Sequence, residues 1–306
     1  MNLLGLLFIT ISVSAGVAKG YCGKKIGTYA ETITDSAKLN VLRMILCSAI
    51  TVVVIAFQGN LKNILSVSPL TLIVSALCAL SMSIFIIAWL MAVRGTAYML
   101  VNVFLNLGVI IPIALGTIVF DESIGIKQII GILILLVAIW LMLGYNKQLN
   151  SKFTFKNFLV LLACGIFNGL SDFFLGSTSK ISDKFGGGDL GVIDTTVFSL
   201  FLYLFSFILL LGYTLTAHVA HHKAKIKINK RIVITMSLMA AFLFVNTYFK
   251  SLAGANLTSF VLFSTNTGLS LVFASIMAAY ALKEHPNLKS IIGIVLTFIA
   301  LFFLKG

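Results

Sequence analysis

Polar and aromatic side chains occur inside the apolar stretches of this sequence, at spacings that could form a binding site for a small solute. Tyr98, Asn102 and Asn106 are four residues apart and therefore share one helix face, with the asparagines about 6 Å apart along its axis. Amide groups donate and accept hydrogen bonds, so this face could hold a polar molecule. Alternatively, the asparagines join neighbouring helices, as such residues commonly do in membranes.

A second helix face lies 162 residues further along the chain. Phe260, Ser264 and Gly268 are the counterparts of the first three residues. We expect the two faces to meet across a central cavity and to bind the substrate there. The other candidate substrate-binding residues are polar or aromatic groups within or beside apolar segments: Trp89, Asn246, Tyr248 and Asn266.

Charged residues inside apolar segments are the next candidates, because charge within a membrane is costly and often functional. Asp172 could bind a coupling proton or cation, or it could be an interfacial residue at a helix end. Lys19 is expected near the opposite membrane face, where it would not pair with Asp172. Arg43 is expected to extend to the interface. With no basic group then expected at mid-depth, phosphorylated substrates are disfavoured. The lack of a mid-depth carboxylate leaves exchange or uniport open.

The composition predicts an all-α, polytopic membrane protein. Of 306 residues, 59% are hydrophobic and only 10% are charged, and the mean hydropathy is +1.09. A membrane-spanning helix needs about 20 apolar residues, and helices satisfy their own backbone hydrogen bonds in lipid. Ten segments qualify: 2–22, 38–58, 70–92, 96–120, 125–145, 156–177, 193–215, 231–250, 255–282 and 287–305.

The charges and cysteines indicate a lipid bilayer as partner and argue against a nucleic-acid-binding protein or a metalloprotein. The net charge is +13, and the lysines and arginines lie mostly in loops and at segment ends, where they contact anionic headgroups. The sequence contains no basic domain that would bind nucleic acid. The four cysteines form no ligand set, so neither metal nor cofactor is expected. The spans contain no His or Cys pair to supply a nucleophile and base, so an enzyme is not expected.

One motif occurs twice. Glu122 and Glu284 each precede the same pattern of four residues, lysine, one residue and Ile-Ile-Gly-Ile. This predicts two five-helix repeats, 1–146 and 157–306, joined by the basic linker 147–156. Because five is odd, the repeats would cross the membrane in opposite senses, which is typical of secondary transporters. The two glutamates are expected to cap the helices that follow them, the fifth and the tenth.

This duplicated motif resembles the EamA-type repeat of the drug/metabolite transporter superfamily. The resemblance implies ten helices in the cell membrane and alternating-access transport of a small polar or amphipathic metabolite, such as an amino acid, an amine or a drug-like solute. It also implies cytoplasmic termini, whereas the loop charges favour the opposite orientation, so both stay open. The alternatives are a membrane-embedded enzyme and a non-transporting scaffold or sensor.

Overall fold

The structure is a bundle of α-helices. A computed structural model describes residues 2–96, 98–142, 155–220, 224–284 and 287–304. The helices are α1 (Leu3–Gly27), α2 (Ile33–Phe57), α3 (Lys62–Leu65), α4 (Pro69–Gly95), α5 (Tyr98–Leu107), α6 (Ile110–Phe120), α7 (Ile126–Met142), α8 (Phe155–Gly176), α9 (Thr178–Phe185), α10 (Thr195–Val219), α11 (Lys230–Gly254), α12 (Ser259–Tyr280) and α13 (Leu288–Leu304), with a 3-10 turn at Gly188–Leu190. No β-strand occurs within these ranges.

Eight described helical segments are long and apolar enough to cross a membrane, and α5 and α6 together count as one of them. The protein is therefore a polytopic membrane protein. The shorter helices α7 and α13, with 17 residues each, correspond to the predicted fifth and tenth segments and pack against each other. Large apolar side chains such as Ile118 and Trp140 are exposed on the outside of the bundle, where lipid would cover them.

Capping residues set the starts of several long helices. The Ser68 side chain accepts a hydrogen bond from the Thr71 N–H, and Pro69 occupies the first turn, which confirms the predicted start of this helix. Thr32 and Asp35 form a reciprocal capping box at the start of α2. Asp35 also accepts the backbone N–H groups of Lys225 and Ile226, so the loop before α11 is held against α2.

The fourth span is broken at the junction of α5 and α6. The helix is interrupted at Gly108 and Val109, four and three residues before Pro112. Proline lacks the N–H that would bond to the carbonyl four residues earlier, so the break is expected at this position. Gly108 allows a close crossing here, since a Cβ on it would lie 2.1 Å from the Gly165 carbonyl oxygen of α8.

Helices that are distant in the sequence pack side by side in the bundle. α1 packs along α11, α4 along α8, α2 along α10 and α7 along α13. The fourth span contacts α8 and α12, and α12 also contacts α1. The predicted linker 147–156 lies outside the described residues, except for its last two positions, which begin α8.

Candidate functional site

A polar cavity lies in the centre of the bundle between seven helices. It has an empty volume of about 710 Å³, which includes the space at its mouth. Its polar and aromatic lining comes from α1, α4, α5, α8, α11 and α12: Lys19, Phe85, Trp89, Tyr98, Asn102, Asn106, Asn168, Asp172, Asn246, Lys250, Phe263, Asn266, Thr267 and Ser270. Pro112 of α6 also contributes. The mixed polar and aromatic lining suits a small organic solute.

The structure brings most of the candidate residues together at this cavity. Those that line it are Trp89, Tyr98, Asn102, Asn106, Asp172, Asn246 and Asn266. Tyr248 lies elsewhere: its ring stacks on Phe244, and its hydroxyl accepts a bond from Gln58 at 3.4 Å. Tyr248 is two residues after Asn246 on α11, so it projects from a different face of that helix.

The α12 face that lines the cavity differs from the predicted one. Phe260 and Ser264 are buried but do not line the cavity. The lining residues of this helix are instead Phe263, Asn266, Thr267 and Ser270. Relative to the expected face, the lining positions are shifted by one residue, to 263 and 267 in place of 264 and 268.

Asp172 forms a buried ion pair that the sequence interpretation missed. Its Oδ1 lies 2.6 Å from Nζ of Lys250, and Asn168 donates to its Oδ2 at 3.3 Å. Each charged residue precedes a glycine by four positions, and the two helices cross at those glycines: a Cβ on Gly254 would lie 1.9 Å from the Gly176 carbonyl oxygen. One helical turn before this crossing, the two side chains share the space between α8 and α11.

Lys19 lines the same cavity as Asp172 instead of lying at the opposite membrane face, but the two form no ion pair, as expected. Its Nζ lies 5.8 Å from the Trp89 ring centroid and 6.0 Å from that of Phe85, at the outer range of cation–π attraction. Among the described residues, no carboxylate lies within ion-pair distance of Lys19. The cavity therefore contains one paired and one unpaired ammonium group.

Arg43 is a second buried cation whose position the sequence did not predict. It is only 1% exposed, and its Nε and Nη2 have no hydrogen-bond partner among the described residues. It does not extend to the interface as expected. Because Lys19 and Arg43 both lie inside the bundle, the expected lack of basic groups there, which disfavoured phosphorylated substrates, is not observed.

Glycines of α1 let aromatic rings reach the cavity wall. A Cβ on Gly20 would lie 2.0 Å from the Tyr98 hydroxyl oxygen, and one on Gly23 would lie 2.0 Å from the Trp89 ring. Both rings therefore rest directly on the backbone of α1, one and four residues after Lys19. Aromatic groups and an ammonium group thus form one end of the cavity.

The asparagines of α5 differ in their hydrogen bonding. Nδ2 of Asn102 donates to the Tyr98 carbonyl oxygen of its own helix at 2.8 Å. Nδ2 of Asn106 is buried and has no partner among the described residues, although the side chain lines the cavity. An unsatisfied buried donor is costly unless a ligand or water completes it. Asn106 therefore offers an open donor to a solute.

The ends of the fourth span and of α12 are joined reciprocally by the two motif glutamates. Glu122 accepts the Ser259 N–H at 3.1 Å and its hydroxyl at 3.1 Å, and Lys180 lies 2.6 Å from the same carboxylate. Glu284 accepts the N–H groups of Tyr98 and Met99 at 3.0 and 3.3 Å. The two spans are therefore antiparallel, with the start of each bound by the glutamate that follows the other.

This arrangement corrects the expectation that the glutamates cap the helices that follow them. At the start of α13 the Asn287 side chain accepts the Ser290 N–H, and at the start of α7 the Gln128 side chain accepts the Gly125 N–H. The glutamates are directed across the bundle because the residues before them, Asp121 and Lys283, have left-handed backbones with φ of 56° and 55°. The two glutamates therefore do cap helices, but each caps a helix in the other predicted repeat.

Comparisons with known proteins identify the fold only. The chain matches no protein-family model and no curated protein. It is similar to a solved structure described as the crystal structure of a protein, with a TM-score of 0.68 and 11% sequence identity, over 98% of this chain and 94% of the other. At this identity the similarity extends to the fold of almost the whole chain and not to its activity.

Proposed function

We propose that the protein is a secondary transporter of the cell membrane that moves a small polar metabolite by alternating access. The observation that carries the proposal is the polar cavity at the centre of an otherwise apolar bundle, lined by asparagines, lysines and aromatic residues from both predicted repeats. Polar groups within a membrane protein mark substrate pathways because their exposure to lipid is costly.

The helix pairings support a bundle of two inverted halves. If the first five spans are exchanged with the last five, the pair α1–α11 becomes α8–α4, which is also observed, and the pairs α2–α10 and α7–α13 are unchanged. The left-handed residues Asp121 and Lys283 are 162 positions apart, the same offset as the duplicated motif. Transporters built this way bind their solute at the interface of the halves, which agrees with the resemblance to the drug/metabolite transporter superfamily.

Reconstituted transport tests the proposal. Purified protein in liposomes is assayed for counterflow of labelled amino acids, monocarboxylates and amines, with protein-free liposomes as the control. We expect at least one class to be moved. Folded protein, shown by helical circular dichroism and a single chromatographic peak, that moves none of them would contradict transport.

The alternating-access part has its own test. Cysteines at Glu122 and Ser259 are bridged with a short bifunctional thiol reagent, in a background where the partly exposed Cys22 is serine. The bridge fixes the end of the fourth span to the start of α12, so we expect it to stop transport and reduction of the reagent to restore it. Full transport by the bridged protein would show that these ends do not separate.

A further inference from the structure

Lysines outnumber carboxylates in the lining of the cavity, and this bears on the substrate class. Lys19, Lys250 and Asp172 line it, and only Lys250 and Asp172 are paired. Two ammonium groups and one carboxylate leave a single uncompensated positive charge, at Lys19. Arg43 adds a further buried cation outside the lining. A solute with a positive charge would meet repulsion here, because Asp172 is already engaged.

From this charge balance we propose that the substrate carries a carboxylate group that binds Lys19. The inference rests on the proposed function, since it names the substrate of the same cavity. A carboxylate supplies the counter-ion that the described residues do not give Lys19, and the open Nδ2 of Asn106 can donate a hydrogen bond to an acceptor on the same solute. Hydrogen bonds between two ionised groups are among the stronger ones in proteins.

The surroundings of Lys19 favour a monoanion with an apolar body. Phe85 and Trp89 lie beside its ammonium group, and Phe263 also lines the cavity. These rings offer apolar contact area to the remainder of the solute. One uncompensated charge matches a monocarboxylate or a zwitterionic amino acid better than a doubly charged phosphate ester, which usually binds several cations or an arginine fork.

The chain contains its own reporter for this binding. Its two tryptophans are Trp89, beside Lys19 in the cavity, and Trp140, which is 69% exposed on the outside of the bundle. Trp140→Phe leaves Trp89 as the only source of tryptophan emission. Binding at the cavity can then be followed directly, without any transport assay.

The experiment titrates this single-tryptophan protein with three solutes that share a 3-methylbutyl group and differ in the charged group attached to it: 4-methylpentanoate, 3-methylbutylamine and 3-methylbutyl phosphate. We expect the carboxylate to change Trp89 emission in the millimolar range, and the amine and the phosphate ester to bind at least tenfold more weakly. Lys19→Met should weaken carboxylate binding about tenfold or more, by loss of a charge-assisted bond. Lys19→Arg, which keeps the charge, should retain most of it.

Lys62→Met is the matched control, because Lys62 is exposed on α3 far from the cavity lining; it should bind like the parent. Tighter binding of the amine or phosphate, no response to the carboxylate, or unchanged binding in Lys19→Met would each overturn the inference. If Lys19→Met folds poorly, the order of the three solutes in the parent protein decides alone. If the carboxylate changes Trp89 emission but no solute is moved in liposomes, transport is rejected and this inference stands. If amines are moved in preference to carboxylates, this inference is rejected and transport stands.

Discussion

The carboxylate of Glu122, at the end of the fourth span, accepts both the N–H and the hydroxyl of Ser259 at the start of α12. Glu284 binds the start of α5 in the same way from the opposite end of α12. A helix start carries a partial positive charge, so each carboxylate is favoured where it lies. The two contacts close the ends of the same pair of spans, and in an alternating-access transporter they would separate in turn.

Neutralising these glutamates should shift the protein in opposite directions. Glu122→Gln weakens the contact at one end and Glu284→Gln the contact at the other, so we expect cavity residues to become more reactive from one membrane face in the first variant and from the other face in the second. The measurement is labelling of Asn106→Cys by impermeant thiol reagents added to either side of oriented vesicles. Glu31→Gln, at an exposed loop position, is the control. Identical labelling in both variants would show that the contacts do not gate access.

Breaking the buried pair of Asp172 and Lys250 should destabilise the fold strongly. Asp172→Asn or Lys250→Met alone leaves one charge uncompensated, at a cost of about 3–5 kcal/mol, whereas the double variant should recover much of it. Thermal unfolding of the single and double variants in detergent gives the coupling between the two sites. The exposed pair of Asp121 and Lys184 is the comparison, and its loss should cost about 1 kcal/mol or less. Additive single effects at Asp172 and Lys250 would contradict the pairing.

The close crossing of the fourth span with α8 should not tolerate a side chain. A Cβ on Gly165 would lie 2.5 Å from the Phe104 carbonyl oxygen, and one on Gly169 would lie 2.2 Å from that of Gly108. Backbone atoms cannot move aside as a flexible side chain can, so Gly165→Leu should sharply reduce the yield of folded protein. Gly212→Leu is the matched control, because nothing lies within 4 Å of its Cβ position. Equal yields, measured by fluorescence-detected size exclusion, would reject this packing.

Asn106 and Ser264 offer a matched test of which buried polar groups face the solute. Both have an unpartnered polar atom among the described residues, but only Asn106 lines the cavity. Removing an unsatisfied group is nearly neutral or stabilising, so Asn106→Ala and Ser264→Ala should unfold at temperatures close to the parent. Solute binding should weaken several-fold in Asn106→Ala and stay unchanged in Ser264→Ala. A larger loss in Ser264→Ala would restore the face predicted from the sequence.

Hydropathy predicted the eight long apolar helices because lipid requires such helices, but it placed some of their ends several residues from where they lie. The first segment was predicted to end at residue 22, whereas α1 continues to Gly27. Lys19 is therefore eight residues, or about 12 Å, from the end of its helix instead of near the interface. Arg43 was misplaced for the same reason, because α2 begins at Ile33 instead of at residue 38.

Lys250 was the largest omission at the site. The predicted eighth segment ended at this residue, and a terminal lysine commonly extends to the headgroups. The helix continues to Gly254, which places the ammonium inside the bundle. A signal was present, since Asp172 and Lys250 each stand four residues before a glycine where helices can approach closely. The rotation of α12 could not be read from the repeat, because a fixed sequence offset carries no information about how each helix is turned about its own axis.

The interruption after Leu107 makes the two related spans mechanically unequal. α12 is one continuous rod, so a tilt at one end must displace the other end as well. The fourth span has a joint at Gly108 and Val109, so Ile110–Phe120 can swing without turning Tyr98–Leu107. If the protein works by alternating access as proposed, the two faces of the membrane would therefore open along different routes, because only one of these two spans has a joint.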